Sequence, residues 1–251
     1  MRLDSLVDFL DDYLRIAEEV ADSPEALNGL QVSNSGDITR VAAAVDLCDA
    51  TIRLANEKHA DFLLVHHGMF WGGLRPFVGP AYRRINGLIK GNIALYAAHL
   101  PLDRHPDVGN NRVLARLLGI KVKSEFGSYH GAPAGVWGEF SGTRDELSWA
   151  VTKALGTAPR VLGFGPDRVQ RVGIVTGAGG SLIPQAAAAG LDTFVTGEGP
   201  HWTFFDAEEL GVNVFYAGHY ATETVGVKAL AEHVSKKFDL PWVFLDHPTG
   251  L

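Results

Sequence analysis

The chain has 251 residues, 46% of them hydrophobic, and 22 Lys plus Arg against 29 Asp plus Glu give a formal net charge of −7. This size allows a sizeable core, and an acidic chain without a Lys/Arg run is a poor candidate for binding nucleic acid. The single cysteine, Cys48, excludes an internal disulfide framework and a cysteine-rich zinc site. Because no apolar run approaches the ~20 residues of a membrane helix and the N-terminus lacks a signal-peptide core, we expect a cytoplasmic protein with no membrane partner.

The first half of the chain alternates between strand-like and helix-like segments. Apolar residues at helical spacing predict an amphipathic helix over residues 4–20 with Asp4 as its cap, and Asn28-Gly29 then marks a loop. Strands are predicted at 41–45, 62–65 and 93–98, and helices at 51–58, 82–90 and 110–118. Residues 66–80 are predicted to form a loop. This alternation is typical of a largely parallel sheet with helices on its faces.

The second half changes composition before the alternation resumes. Residues 129–140 are rich in Gly, Ala and Pro, which predicts strands joined by tight turns. Further strands are predicted at 161–164, 172–176, 193–195, 212–216 and 243–245, and helices at 144–155, 181–189, 201–210 and 222–237. We predict two α/β halves with a seam near 124–129 and a final helix that returns to the first half. The predicted domains are residues 1–125 plus 216–251, which carry most of the candidate ligands, and residues 126–215.

Histidines and carboxylates follow three of the strand-like runs. His66 and His67 close the run 61–65, Asp103 follows the strand 93–98, and His219 and Glu223 follow the run 212–216. Four residues are about one helical turn, so His219 and Glu223 would share one face at a helix start. Neighbouring residues of a regular strand point to opposite faces. The histidine pair therefore requires either a departure from strand geometry or two separate metal ions.

Each of these residues also has a purely structural interpretation. The histidine pair could simply end a strand, Asp103 could form a turn, and Glu223 is favoured at a helix start by the macrodipole. His99 could be a hydrogen-bonded core residue, a partner of a metal ligand or a proton donor. The combination is more specific, because sites in open α/β sheets form beyond the carboxyl ends of strands. Three imidazoles and two carboxylates there would suit two metal ions about 3.5–4 Å apart, with Glu223 as the bridging ligand. Ligands without thiolate suit Zn, Fe or Mn and do not choose among them.

Two further loops follow predicted strands. Residues 176–181 form a Gly-rich loop whose backbone N–H groups could cradle a phosphate, although it lacks the lysine and the spacing of a P-loop. We predict that Gly177 to Gly180 make a tight strand-to-helix turn. Residues 196–201 carry Glu198 and His201, which could face the same cleft, and their role stays open.

Five segments together resemble a known family. Residues 27–32, 66–71, 99–103, 176–181 and 218–223 occur in the order found in the Nif-three-like dinuclear metal centre hexameric proteins, often labelled GTP cyclohydrolase 1 type 2 homologues. The resemblance implies an α/β fold of two interlinked three-layer-type α/β domains with mixed, mainly parallel sheets, in the compact form of the family, and a toroidal homohexamer. It also implies two divalent metal ions per subunit, held by His66, His67, Asp103, His219 and Glu223.

The leading functional hypothesis is a metal-dependent hydrolase of a nucleotide or similar heterocycle, with GTP as the named substrate. Opening the guanine ring needs water to add to purine C8, and a metal ion lowers the pKa of its water. His99 would be the catalytic residue that shuttles a proton. A non-catalytic metal-binding assembly or regulatory protein is the first alternative. A phosphoester hydrolase using the same centre is the second.

Overall fold

The computed structural model describes residues 1–17, 22, 26–71, 73 and 75–251. Helices and strands alternate through most of the chain, in a mixed α/β fold with two mixed sheets, as the sequence predicts. In chain order the elements are α1 (Leu3–Leu14), β1 (Gly29–Val32), β2 (Val41–Asp46), α2 (Asp49–Glu57), β3 (Phe62–His67), α3 (Gly79–Gly91), β4 (Ala94–Ala97), α4 (Leu100–Arg104), α5 (Asn110–Leu117), β5 (Lys121–Tyr129), β6 (Ala132–Thr143), α6 (Arg144–Leu155), β7 (Arg160–Gly163), β8 (Arg168–Val175), α7 (Ile183–Ala188), β9 (Thr193–Thr196), α8 (Thr203–Leu210), β10 (Asn213–Tyr216), α9 (His219–Phe238) and β11 (Trp242–Phe244). None of the helices among the described residues is long and apolar enough to cross a membrane.

The first compact unit comprises Met1–Leu102 and Val227–His247. Its sheet has the strand order β1-β4-β3-β2-β11, in which β1 runs antiparallel to β4 and the other neighbours are parallel. Strands β2 and β3 are buried along almost their whole length, which explains why their sequences are nearly continuous apolar runs. The carboxyl ends of β2, β3 and β4 therefore share one edge of this sheet, and that edge carries the polar residues described below.

Helix α1 packs the apolar side chains Leu3, Leu6, Leu10 and Leu14 into this unit. The prediction of Asp4 as its cap is wrong, because the helix begins at Leu3, whose N–H donates to the Gly36 carbonyl. Asp4 lies instead in the first turn, where an acidic side chain interacts favourably with the helix macrodipole. The helix ends at Leu14, and the predicted extension over residues 18–20 lies outside the described residues.

The second compact unit comprises Asp103–Gly226 and Pro248–Leu251. Its sheet has the order β5-β6-β8-β9-β10-β7, with β8, β9 and β10 parallel and the outer pairs antiparallel. The predicted strands and tight turn near 129–140 are a hairpin of β5 and β6. Its connection is His130-Gly131, and both residues have positive φ, as hairpin turns require.

The division into units differs from the predicted domain boundaries. Residues 103–125, 216–226 and 248–251 are part of the predicted first domain but belong to the second compact unit. Helix α5 packs on β5, β6 and β8, so its apolar face is buried by the second sheet. The predicted seam at 124–129 lies inside β5. The predicted domains themselves stay a prediction.

Candidate metal-binding site

His66 and His67 are the last two residues of β3, so the prediction that the strand stops at residue 65 is wrong. His67 is still in register with Asp46 of β2. The two rings nevertheless lie 4.7 Å apart between centroids. The histidine pair thus needs no departure from strand geometry.

His99, directly after β4, joins this pair. One ring nitrogen from each of His66, His67 and His99 can be chosen so that all three atoms lie within 4.8 Å of one another. The His99 ring centroid is 5.1 Å from that of His66 and 5.5 Å from that of His67. Three imidazoles at this spacing could hold a metal ion. The first unit therefore gathers two predicted ligands and the predicted catalytic histidine.

Each of the three rings is held through its Nδ1 atom. Nδ1 of His66 lies 2.8 Å from the Ala98 carbonyl oxygen, and Nδ1 of His67 lies 2.8 Å from Oδ1 of Asp46. Nδ1 of His99 lies 2.7 Å from Oδ1 of Asp22. Carbonyl and carboxylate oxygens only accept, so each Nδ1 carries the proton and the neutral ring presents Nε2 as an acceptor. Metal-binding histidines are oriented in this way by an outer carboxylate or carbonyl.

Asp22 organises the surroundings of His99 with both carboxylate oxygens. Oδ1 accepts from the His99 ring, and Oδ2 accepts from the side chain of Asn28 at 2.8 Å and from the N–H of Leu100 at 3.2 Å. Asn28 in turn accepts from the N–H of His99 at 2.7 Å. The side chain of Asp22 is only 9% exposed. The sequence alone did not point to Asp22, and it pointed to Asn28 as a loop marker and as part of the motif that resembles the family, not as a partner of His99.

In the second unit, His219 is the first residue of α9 and Glu223 lies one turn further along, on the same face as predicted. His219 Nε2 lies 3.2 Å from Oε1 of Glu223, and its Nδ1 lies 2.7 Å from Oε1 of Glu198. Glu223 is only 3% exposed. Glu198 therefore belongs to this cluster. His201 is exposed and instead packs its ring edge-on against Phe205, with centroids 5.7 Å apart.

Burial alone would lower the pKa of His219, but hydrogen bonds and charge from Glu223 and Glu198 outweigh it and raise the pKa to about 9. We therefore expect His219 of the metal-free protein to titrate near pH 9 rather than at its ordinary 6.5. A raised pKa means that the charged ring stabilises the fold fully below about pH 6.5, a contribution lost as the pH rises through about 9. Histidine ring resonances followed by NMR test this. Glu198→Gln should move the midpoint down, and an ordinary midpoint in the wild type would contradict it.

Asp103 lies on the short helix α4, an element that the sequence did not predict. Proline is tolerated in a first helical turn, so Pro101 does not prevent this turn. Oδ1 of Asp103 accepts from the side chains of Asn110 at 2.8 Å and Thr176 at 3.1 Å, and the residue is 7% exposed. Asn110 also accepts from the N–H of Gly226 at 2.7 Å. Asp103 is thus a buried member of a polar network rather than a turn former, and sequence reasoning missed the asparagine.

In the Gly-rich loop after β8, the absence of a side chain at Gly177 allows the backbone to lie close to Glu223 and His219. Gly177 has φ +67, and a Cβ atom built on it would lie 2.2 Å from Oε1 of Glu223 and 3.3 Å from Nε2 of His219. The N–H groups of Gly177, Gly179 and Gly180 donate to Thr222, Thr196 and the Glu198 carbonyl. Because these donors are already used within the protein, the loop fits a tight strand-to-helix turn better than a phosphate cradle.

The donor chemistry of these residues fits a divalent metal ion. The first unit has imidazoles whose Nε2 atoms are acceptors, and the second unit, taken by itself, has His219 with buried carboxylates. Imidazole and carboxylate ligands without thiolate suit Zn, Fe or Mn. The chain thus contains His and Glu groups that could bind a metal ion.

The chain is similar to known proteins over nearly its whole length. The family model Duf34/NIF3 (NGG1p interacting factor 3) matches residues 1–249. A Deinococcus radiodurans protein named GTP cyclohydrolase 1 type 2 homolog is 45% identical, over 99% of this chain and 94% of that protein. An Archaeoglobus fulgidus protein of the same name is 42% identical over all of both chains. A crystal structure of a Thermus thermophilus protein has a TM-score of 0.91 and 47% identity over all of both chains.

Proposed function

Because the chain belongs to the Duf34/NIF3 family, we propose that it is a divalent-metal-dependent hydrolase of a nucleotide or related heterocycle, with GTP as the first substrate to test. The name carried by its curated relatives supports this substrate. The observation that carries the proposal is that His66, His67 and His99 lie together with each ring held through Nδ1, so that the Nε2 atoms of His66 and His67 can bind metal and that of His99 can accept a proton. Fold alone would not support it, because one fold serves many functions.

The proposal assigns metal binding to the five residues that the resemblance implies: His66, His67, Asp103, His219 and Glu223. Two divalent ions bound by them would supply a Lewis acid that makes water a stronger nucleophile at neutral pH. The protein itself would contribute by holding the ligand side chains in fixed orientations. The Ala98 carbonyl and Asp46 fix the rings of His66 and His67, while Glu198 fixes His219.

His99 would move the proton in this reaction. When water adds to purine C8, the water loses one proton and N7 gains one; when the C8–N9 bond then breaks, the C8 hydroxyl loses its proton and N9 gains one. The His99 Nε2 atom can accept the first proton because its Nδ1 atom already donates to Asp22. The carboxylate of Asp22 stabilises the imidazolium formed in between, as the carboxylate of a catalytic triad does.

Asp22→Asn should lower turnover by about 10–100-fold while leaving the metal content unchanged. The amide retains the size of the side chain but removes the charge that stabilises protonated His99, and removing the hydrogen-bonded partner of a metal-binding histidine costs about this much. Elemental analysis and steady-state kinetics on the same sample measure both quantities. Asp37→Asn, at an exposed carboxylate paired only with Arg2 in the described part of the chain, is the control. Metal lost in parallel with activity would show that Asp22 supports metal binding instead.

We further propose that the protein acts in the cytoplasm as a homohexamer. Trp149 on α6 and Trp202 beside α8 are 65% and 60% exposed, and large exposed aromatic side chains are typical of protein interfaces. Light scattering during size-exclusion chromatography should give six times the chain mass of 27.0 kDa. A monomeric mass at micromolar concentration would contradict the hexamer and leave the catalytic proposal intact.

The function is tested by incubating metal-loaded protein with a panel of nucleotides and following each by chromatography. We expect the purine ring of GTP or of another purine nucleotide to be opened, which is seen as a loss of purine absorbance. Release of phosphate with the ring intact would support a phosphoester hydrolase instead. Stable substrates throughout, together with loss of the oligomer on metal removal, would support the non-catalytic metal-binding assembly.

A further inference from the structure

A cavity of about 590 Å³ opens beside His67 in the first unit. Its size is within the range of pockets that bind small molecules. Phe70, Trp71 and Phe77 supply aromatic walls, and Arg75 and Arg84 supply positive charge. None of these aromatic or cationic residues is among the candidate metal ligands.

The aromatic walls have a defined geometry. Phe70 and Phe77 meet edge to face with centroids 6.2 Å apart, and Trp71 is 5.7 Å from the ring of His67. The indole N–H of Trp71 donates to the Gly68 carbonyl at 3.0 Å, which fixes the ring. Fixed aromatic rings provide platforms on which a planar heterocycle stacks.

Arg84 is the cationic residue of this cavity that we consider as a binding group for an anion. Its Nε atom is buried without a hydrogen-bond partner among the described residues. The neighbouring Arg83 differs, because it donates to Asp49 at 2.9 Å and is well exposed. Because Arg84 lines the cavity, its guanidinium group can donate to phosphate oxygens of a ligand bound there in a forked geometry. Asp46 also lines the cavity, but its Oδ1 is already used by His67.

We infer that this cavity is the nucleotide-binding pocket, with the base stacked on Trp71 and the phosphates bound by Arg84. The inference deepens the proposed function, since it names the residues that select a phosphorylated planar heterocycle. The first turn of α3 forms part of the same wall through Pro80 and Ala81, and its positive end favours an anion. His67 lines the cavity too, so a nucleotide seated there would lie beside the candidate metal ligands.

The test is calorimetric titration with GTP, guanosine and inorganic triphosphate, on protein as purified and after chelation. Chelation matters because a bound metal would also attract phosphate and mask Arg84. Arg84→Met should weaken GTP and triphosphate binding about tenfold or more and leave guanosine unchanged. Trp71→Leu should weaken GTP and guanosine about 5–100-fold and leave triphosphate unchanged. Arg83→Met is the matched control and should change none of the three affinities.

Two further variants separate binding from folding. Arg84→Lys keeps the charge but not the fork of donors, so it should fall between the wild type and Arg84→Met. Trp71→Phe keeps a ring and should retain most of the guanosine affinity. Equal GTP affinity in wild type and Arg84→Met, or an equal loss in Arg83→Met, would overturn the pocket assignment. GTP binding that depends on Arg84 and Trp71 without any turnover would instead uphold the pocket and refute the proposed hydrolase.

Discussion

Replacing His219 with alanine should abolish GTP turnover and remove metal from the protein. His219 contacts both Glu223 and Glu198, so its loss removes one ligand and leaves two carboxylates facing each other without a partner between them. Losing only an outer partner of a metal ligand costs about 10–100-fold, so losing a ligand should cost more than about 100-fold. Metal content by elemental analysis and nucleotide turnover measure the two effects on one preparation.

The matched control for this variant is His201→Ala. His201 is exposed in the same unit, and within the described part of the chain its ring packs against Phe205 rather than against a carboxylate. It should keep wild-type metal content and turnover. Full activity in His219→Ala would refute the role of His219, whereas parallel losses in both variants would indicate a general effect of mutation.

Gly177→Ala should impair metal binding more than any other single added methyl group in this loop. The new Cβ atom would lie 2.2 Å from Oε1 of Glu223, which is buried and cannot move away easily. The backbone φ of +67 adds strain of about 1–2 kcal/mol for a non-glycine residue. We expect a lower free energy of unfolding and displacement of Glu223 from its position, with loss of metal and turnover.

Gly119→Ala separates the strain from the clash. Gly119 lies in the same unit with φ +71, and a Cβ atom there would meet nothing within 4 Å. It should lose about 1–2 kcal/mol of stability and keep its metal. Denaturant unfolding gives the stability of both variants, and elemental analysis gives their metal content. If Gly177→Ala and Gly119→Ala behave alike, the close approach to Glu223 has no functional consequence.

Elements with a strong local pattern were predicted well. Strands β2 and β3 are continuous apolar runs, and α6 is bounded by the capping pair Thr143 and Glu146, so their positions follow from sequence. Strand β1 was missed because it begins at a glycine with positive φ and is half-buried at a sheet edge. Helix α4 has five residues, too few to show helical periodicity.

The site was predictable in part for a related reason. His66 and His67 are adjacent in sequence, and His219 and Glu223 are four residues apart, so a local pattern points to each pair. The carboxylates that hold the rings of His99 and His67 are distant from these histidines in sequence. Asp22 is 77 residues from His99, and Asp46 is 21 residues from His67. Only the fold brings these groups together, and a single sequence contains no local signal for such pairs.

The central claim is that bound metal makes this protein a hydrolase, and a metal titration of turnover tests it most directly. Chelated wild-type protein is titrated separately with Zn, Mn and Fe(II), and nucleotide consumption and bound metal are measured at each step. We predict that consumption of GTP, or of another purine nucleotide, rises with bound metal and saturates near two ions per chain. A fully metal-loaded protein that consumes no nucleotide, or a turnover rate independent of bound metal, would contradict the claim.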